Sequence, residues 1–148
     1  MSYGLRSYKA SRANTAARED LLILLYEGAI RFLERSIQEF EGKNLSEHKM
    51  FLRRGLMIVS ELQSTLDFQK GGELAIQLFE LYGYMLEQLT LANIAKEMEP
   101  IRRVVRQLNI LLEGWRVAVA QYKAGGVSLS PAPVDGGLPA AKSIAQMG

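Results

Sequence analysis

Apolar residues alternate at spacings of three and four along much of this chain, and this pattern constrains the fold more than any other feature. The longest series is Ile101, Val104, Leu108, Leu111, Trp115, Ala118 and Tyr122. A shorter series of the same kind spans residues 78–92. These spacings place apolar side chains on one face of a helix and are typical of left-handed helical bundles. Because no strand pattern accompanies them, they predict an all-α protein.

The chain divides into four predicted helices. They run from about Ala17 to Glu41, Ser46 to Asp67, Gly72 to Ala95 and Pro100 to Tyr122. Pro100 suits the first position of a helix, since a proline lacks the N–H that this position leaves unbonded. The connections contain only a few residues, which favours antiparallel neighbours. We therefore predict an up-down-up-down four-helix bundle.

The two ends of the chain lack the core pattern. Residues 1–16 are predicted to form a short N-terminal arm or cap, with Thr15 as the best candidate to cap the first helix. Residues 123–148 are rich in Gly, Ala and Pro and are predicted to be a flexible, disordered tail. The bundle domain is expected over residues 17–122. The sequence shows neither a secretory signal nor a run of ~20 apolar residues, so we expect a cytosolic protein with no membrane insertion.

Glycines at two places predict special backbone geometry. Gly55 lies in the apolar stripe of the second helix, where glycine costs up to about 1 kcal/mol relative to alanine. We expect the compensation to be a close approach to a neighbouring helix. The pair Gly71-Gly72 is too short for a phosphate-binding loop, and we interpret it as a helix break.

The composition excludes several kinds of chemistry. The chain has no cysteine, which excludes disulfides, thiolate nucleophiles and cysteine-ligated metals. A single histidine excludes the paired Glu-x-x-His sites of di-metal bundles, and no serine or aspartate shows the signature of a nucleophile or acid–base group. The net charge of only +2 argues against a nucleic-acid partner. We therefore expect no enzymatic activity and no cofactor.

The one histidine, His48, leaves an alternative function open. A phosphotransfer or signalling bundle needs a single histidine, typically in a pattern that resembles His-x-x-Lys-Gly. Here His48 is followed by Lys49-Met50-Phe51-Leu52, which does not match. At the start of the second helix, we interpret it as a solvated first-turn residue.

The chain carries more apolar side chains than four amphipathic helices with one core require. Ile76, Phe79, Leu86, Leu91, Ile110 and Val117 lie outside the main seams of their helices. Surplus rows of this kind form grooves that accept amphipathic helices. The alternatives are that the arm and tail cover these rows, or that the chain self-associates as a homodimer. The arginines 53, 54, 102, 103 and 106 are interpreted as solvated residues with glutamate partners, with a basic patch for an acidic partner as the alternative.

An ordered series of short motifs resembles the flagellar export chaperone family FliS. The series runs from about Tyr8 to Trp115, most of the expected ordered chain. It consists of Asn14-Thr15-Ala16, Leu25-Tyr26-Glu27-Gly28, Gly71-Gly72-Glu73, Leu81-Tyr82-Gly83-Tyr84-Met85, Ala92-Asn93 and Trp115. The family often has Ser or Thr followed by Pro at the start of the first helix, where this chain has Ala17-Arg18.

The resemblance implies a bundle that binds the C-terminal segment of newly made flagellin. In such chaperones the segment wraps around the bundle in apolar grooves, which blocks premature polymerisation and assists delivery to the flagellar export gate. Tyr8 is expected to help the arm cover a groove in the free protein. Core packing remains the alternative role for Tyr82 and Met85. The expected partner-binding residues are Tyr8, Leu66, Asp67, Tyr82, Tyr84, Met85, Leu89, Asn93 and Ile110.

Overall fold

Four helices make up the part of the chain that the structure describes. In this computed structural model, that part covers the backbone of residues 2–125 and the side chains of residues 18–125. The helices are α1 (Ser2–Glu41), α2 (Leu45–Ser64), α3 (Phe68–Ala95) and α4 (Glu99–Lys123). No strand occurs between residues 2 and 125. The predicted all-α class is confirmed.

The helices form an antiparallel bundle. Helix α1 packs against α2 and α4, and α3 packs against the same two helices from the opposite side. Along the α1/α4 contact, residue numbers run in opposite directions, since Glu41 pairs with Arg102 and Glu27 pairs with Arg116. Consecutive helices are joined by only three residues, which is enough to reverse the direction of the chain between antiparallel neighbours.

Three helix boundaries differ from the prediction, one of which is the start of α3 at Phe68 rather than at Gly72. Helix α1 begins at Ser2 and runs through Thr15, so Thr15 is not a cap. The reason is that residues 2–16 contain no proline, and Ala17-Arg18 lacks one too, so nothing in this stretch interrupts a helix. Helix α2 ends at Ser64 rather than at Asp67, because Asp67 serves as the N-cap of α3.

Gly72 bends the backbone near the start of α3, as the predicted helix break requires. Its φ of +51° and ψ of −129° are non-helical, and a positive φ of this kind is easily reached only by glycine. The turn that precedes it, Phe68–Gly71, is held by Asp67 Oδ1, which accepts hydrogen bonds of 3.0 Å from the amides of Gln69 and Lys70. The Gly71-Gly72 pair therefore serves to bend the backbone.

One continuous core lies between the four helices. Each helix contributes one buried stripe, and the predicted seams of α3 and α4 supply nearly half of the core. The apolar and tyrosine side chains with at most 2% of their surface exposed are Tyr26, Ala29, Leu33, Leu52, Val59, Leu62, Ala75, Tyr82, Met85, Leu89, Ala92, Ile101, Val104 and Leu108.

Helices α1 and α2 approach most closely at Gly55, as the sequence predicts. A Cβ atom added to Gly55 would lie 2.5 Å from Cδ2 and 2.8 Å from Cγ of the fully buried Leu33. No real Cβ tolerates such distances, so an alanine here would force Leu33 out of its position. At Gly28, on the same interface, an added Cβ would lie 3.4 Å from the terminal methyl of Ile58.

We predict that Gly55→Ala destabilises the protein and that Gly28→Ala does not. The displaced Leu33 side chain should cost about 1–3 kcal/mol, more than the ~1 kcal/mol that alanine gains in helix propensity. Gly28→Ala gains the same propensity with only van der Waals contact. Equilibrium unfolding in urea measures both free energies. A Gly55→Ala variant as stable as the unmodified chain would contradict the close approach.

Candidate protein-binding surface

Three of the predicted partner-binding residues lie in the core. Tyr82 is 2% exposed, and Met85 and Leu89 have no exposed surface. In this conformation they pack against other helices rather than line a groove, which is the alternative that the sequence left open for Tyr82 and Met85. A contact between these side chains and a partner stays a prediction that would require the bundle to open.

Tyr82 forms a buried hydrogen bond across the bundle with Tyr26 of α1. Burial raises the pKa of Tyr26 to about 12, although the hydroxyl of Tyr82 and the indole of Trp115 partly offset this effect. Burial also raises the pKa of Tyr82 well above its ordinary value, and the neighbouring Tyr26 raises it further. The Trp115 indole N–H has no hydrogen-bond partner among the described residues, so its effect is one of proximity. The tyrosine side chains join α1 to α3, whose backbones make no close approach among the described residues.

The raised pKa of Tyr26 predicts a loss of stability in strong alkali. The unfolded chain ionises this tyrosine near pH 10, whereas the folded protein holds it protonated until about pH 12. The stabilisation is therefore complete below pH 10 and is lost as the pH rises toward 12. Absorbance of tyrosinate and circular dichroism, followed together, should show a late component that coincides with unfolding. In the double variant Tyr26→Phe/Tyr82→Phe that component should be absent, and its persistence would contradict the assignment.

The other predicted partner-binding residues occupy different positions. Tyr84 and Ile110 are exposed, at 40% and 38%, and Leu66 is half-buried beside the core. Asp67 is exposed at the helix corner, where its carboxylate caps α3. Asn93 is exposed and lines a cavity between α2 and α3. The side chain of Tyr8 lies outside the described residues, so its predicted role as a plug stays a prediction.

The two seams that involve α1 are closed by side-chain contacts. Three ion pairs bridge α1 and α4, with N–O distances of 2.7–2.9 Å. On the α1/α2 side, Phe32 stacks on Phe51 with ring centroids 6.1 Å apart. The Arg35 guanidinium lies 5.1 Å from the Phe51 ring, and that of Arg54 lies 5.8 Å from the Phe32 ring. Such cation–π contacts cover the aromatic rings.

The α3/α4 seam exposes a row of apolar side chains. A hydrogen bond of 2.9 Å from Arg103 to Gln88 marks the flanks on which α4 and α3 face each other. Positions three, four, seven and fourteen residues away lie on the same flanks of their helices. Four apolar residues at these positions are 38–55% exposed, namely Tyr84 and Leu91 on α3 and Ile110 and Val117 on α4.

The α2/α3 seam is also open. At one end, Phe68 and Phe79 meet edge to face with ring centroids 5.7 Å apart, and both rings are nearly half exposed. At the other end is a cavity of about 590 Å³, which has an apolar floor and a polar rim. It is lined by Ser46, Lys49, Met50, Leu52, Arg53, Leu56, Thr90 and Asn93. The sequence singled out Asn93 but not Lys49, although the i, i+4 spacing of Lys49 and Arg53 places both on one flank of α2.

His48 is a buried structural residue, so the interpretation as a solvated residue was wrong. Its side chain is 2% exposed, its Nδ1 donates a hydrogen bond of 2.8 Å to the Ser36 carbonyl, and its ring meets Phe40 edge on. The cause is that the first turn of α2 packs against the last turns of α1. His48 lies four residues before Leu52 and so continues the buried stripe of α2 by one turn. A ring held in this way is not presented for phosphotransfer.

The fold and this surface define a helical bundle with open grooves on both sides of α3. Between residues 18 and 125, no cluster of three or more potential metal ligands occurs. In the described part of the chain, no helix combines the length and apolar content that crossing a membrane requires. The arrangement is suited to holding other helices by apolar contact.

Comparison with known proteins gives the family. Residues 1–122 match the family model "Flagellar protein FliS". The flagellar secretion chaperone FliS of Campylobacter jejuni is 34% identical over 110 residues, which cover 74% of this chain and 86% of that protein. That of Salmonella typhimurium is 30% identical over 118 residues, covering 76% and 87%, and that of Bacillus subtilis is 24% identical over 127 residues, covering 82% and 94%. The chain belongs to the FliS family of flagellar secretion chaperones, which confirms the prediction that it is not an enzyme.

Proposed function

We propose that this chain binds the C-terminal segment of flagellin in the cytosol, with the segment lying in the grooves on both sides of α3. Binding would cover the part of flagellin that polymerises and keep the subunit competent for delivery to the flagellar export apparatus. The observation that carries the proposal is the row of exposed apolar side chains on the α3/α4 seam, continued on the α2/α3 seam. The relatives named above are flagellar secretion chaperones, which supports a client of this kind.

The asymmetry of the bundle favours α3 as the centre of the binding surface. Both seams of α1 are bridged by ion pairs or aromatic stacks, so a client helix would have to break contacts there. No ion pair bridges either seam of α3 between residues 18 and 125. Leu91 and Ile94 of α3, 49% and 73% exposed, are costly to leave in water and become favourable contacts once covered.

A client that wraps around α3 gains interface in proportion to its length. A disordered segment loses conformational entropy when it binds, so each stretch needs apolar surface in return. Two grooves along one helix offer a longer path than a single groove does. The same surface would protect the segment from other flagellin molecules until export.

Deletion of the client segment tests the proposal directly. We expect flagellin that lacks its C-terminal ~40 residues, the length that the family resemblance implies, to lose measurable binding to the full-length protein, since the interface that forms on ordering of this segment is removed. Intact flagellin is the matched control, and isothermal titration calorimetry measures both. Undiminished binding of the truncated flagellin would contradict the proposal. Light scattering of the same samples shows whether the free chain forms the predicted homodimer.

Charged substitutions in the groove test its position. Ile110→Asp and Leu91→Asp should each weaken binding of the flagellin segment by at least ~10-fold, since a carboxylate replaces an apolar contact. Leu24→Asp is the control, because Leu24 is 61% exposed but lies on α1, whose described backbone makes no close approach to α3. Fluorescence anisotropy with a labelled segment gives the three affinities. Equal losses in all three variants would contradict a binding surface centred on α3.

A further inference from the structure

The cavity at the end of the α2/α3 seam combines apolar and cationic groups. Leu52, Leu56 and Met50 supply its apolar surface. Its polar lining consists of the neutral side chains of Ser46, Thr90 and Asn93 and the charged side chains of Lys49 and Arg53. The lining contains two cations and no carboxylate. A partner that carries negative charge is therefore complementary to it.

Lys49 and Arg53 form no ion pair within the part of the chain that the structure describes. Both are exposed, and neither forms an ion pair with any of residues 18–125. Five other basic side chains between residues 18 and 125 form ion pairs with carboxylates, for example Arg102 with Glu41 at 2.9 Å. The neighbouring Arg54 points to the other flank of α2, where it lies over the rings of Phe32 and Phe51. Lys49 and Arg53 therefore share the cavity flank of α2, which Arg54 does not.

We infer that this cavity recognises a helical part of the client through its acidic side chains, with Lys49 and Arg53 as the recognising cations. The inference rests on the proposed function and adds a chemical requirement to it. One turn of helix, about 5–6 Å, separates the two cations on α2. An amphipathic client helix with carboxylates three or four residues apart matches this spacing, while its apolar side enters the cavity between Leu52 and Leu56.

Closure of the groove by the client strengthens this recognition. An exposed ion pair contributes little in water, but a pair at the edge of a covered apolar groove is less screened by solvent. Thr90 and Asn93 on the α3 side can hydrogen-bond polar groups of the same client turn. The cavity would therefore fix the register of the client, whereas the apolar flanks of α3 would supply most of the affinity.

Neutralisation of the two cations tests the inference in the full-length protein. The probe is the C-terminal segment of the cognate flagellin, in its natural form and in a form with every Asp and Glu replaced by Asn and Gln. We expect Lys49→Gln/Arg53→Gln to bind the natural segment ~10-fold more weakly at low ionic strength. Arg54→Gln is the matched control and should bind like the unmodified chain. Glutamine is a good helix former, and thermal unfolding would verify that all variants are folded.

The two client forms separate the possible outcomes. If the inference holds, the neutral segment binds the unmodified chain ~10-fold more weakly and no longer distinguishes it from the double variant. Equal binding of the natural segment by the double variant and the unmodified chain would overturn the inference and leave the proposed function standing. An equal loss in Arg54→Gln would also overturn it, as a general charge effect. Failure of the unmodified chain to bind either segment would overturn the proposed function itself.

Discussion

A four-helix bundle has one core, and that core can bury only one stripe of each helix. On α3 this stripe is filled by residues such as Tyr82, Met85 and Leu89, which have at most 2% exposure. The remaining apolar residues of α3 must therefore face outward, whatever their hydropathy. The open grooves of this protein follow from that constraint: the sequence places more apolar groups on α3 than one interface can hold.

The two seams of α1 differ from the two seams of α3, which form the proposed binding surface. The seams of α1 are fastened by ion pairs, by stacked phenylalanines and by the close approach of Gly55 to Leu33. Individual surface ion pairs contribute only about 0–1 kcal/mol, so their main effect here is to occupy the groove. Among the described residues, no ion pair, aromatic stack or close glycine contact of this kind bridges a seam of α3. The proposed client would meet side-chain hydrogen bonds there, from Gln63 to Phe79 and from Arg103 to Gln88, rather than ion pairs or stacked rings, which keeps the cost of binding low.

Much of the fold could be predicted from periodicity, because helical spacing reports which side faces the core. The stripes of α2, α3 and α4 and the role of Gly55 follow from this signal. The start of α1 could not be predicted in the same way, since residues 2–16 have no apolar stripe. The helix extends to Ser2 because this stretch contains no residue that stops a helix. The burial of His48 was encoded in its spacing from Leu52, but its polarity favoured the opposite interpretation. The cavity depends on how α2 and α3 converge, and this information lies in neither helix alone.

The kink at Gly72 divides α3 into a first turn, which belongs to the α2–α3 corner, and the long segment that lines the grooves. The turn before it has its own cap in Asp67, and Phe68 is anchored to the rest of α3 by the ring of Phe79. The backbone angles of Gly72 can thus change to accommodate an insertion or substitution in this corner. The rest of α3 then does not rotate about its axis. The faces that α3 presents to its two grooves then keep their register.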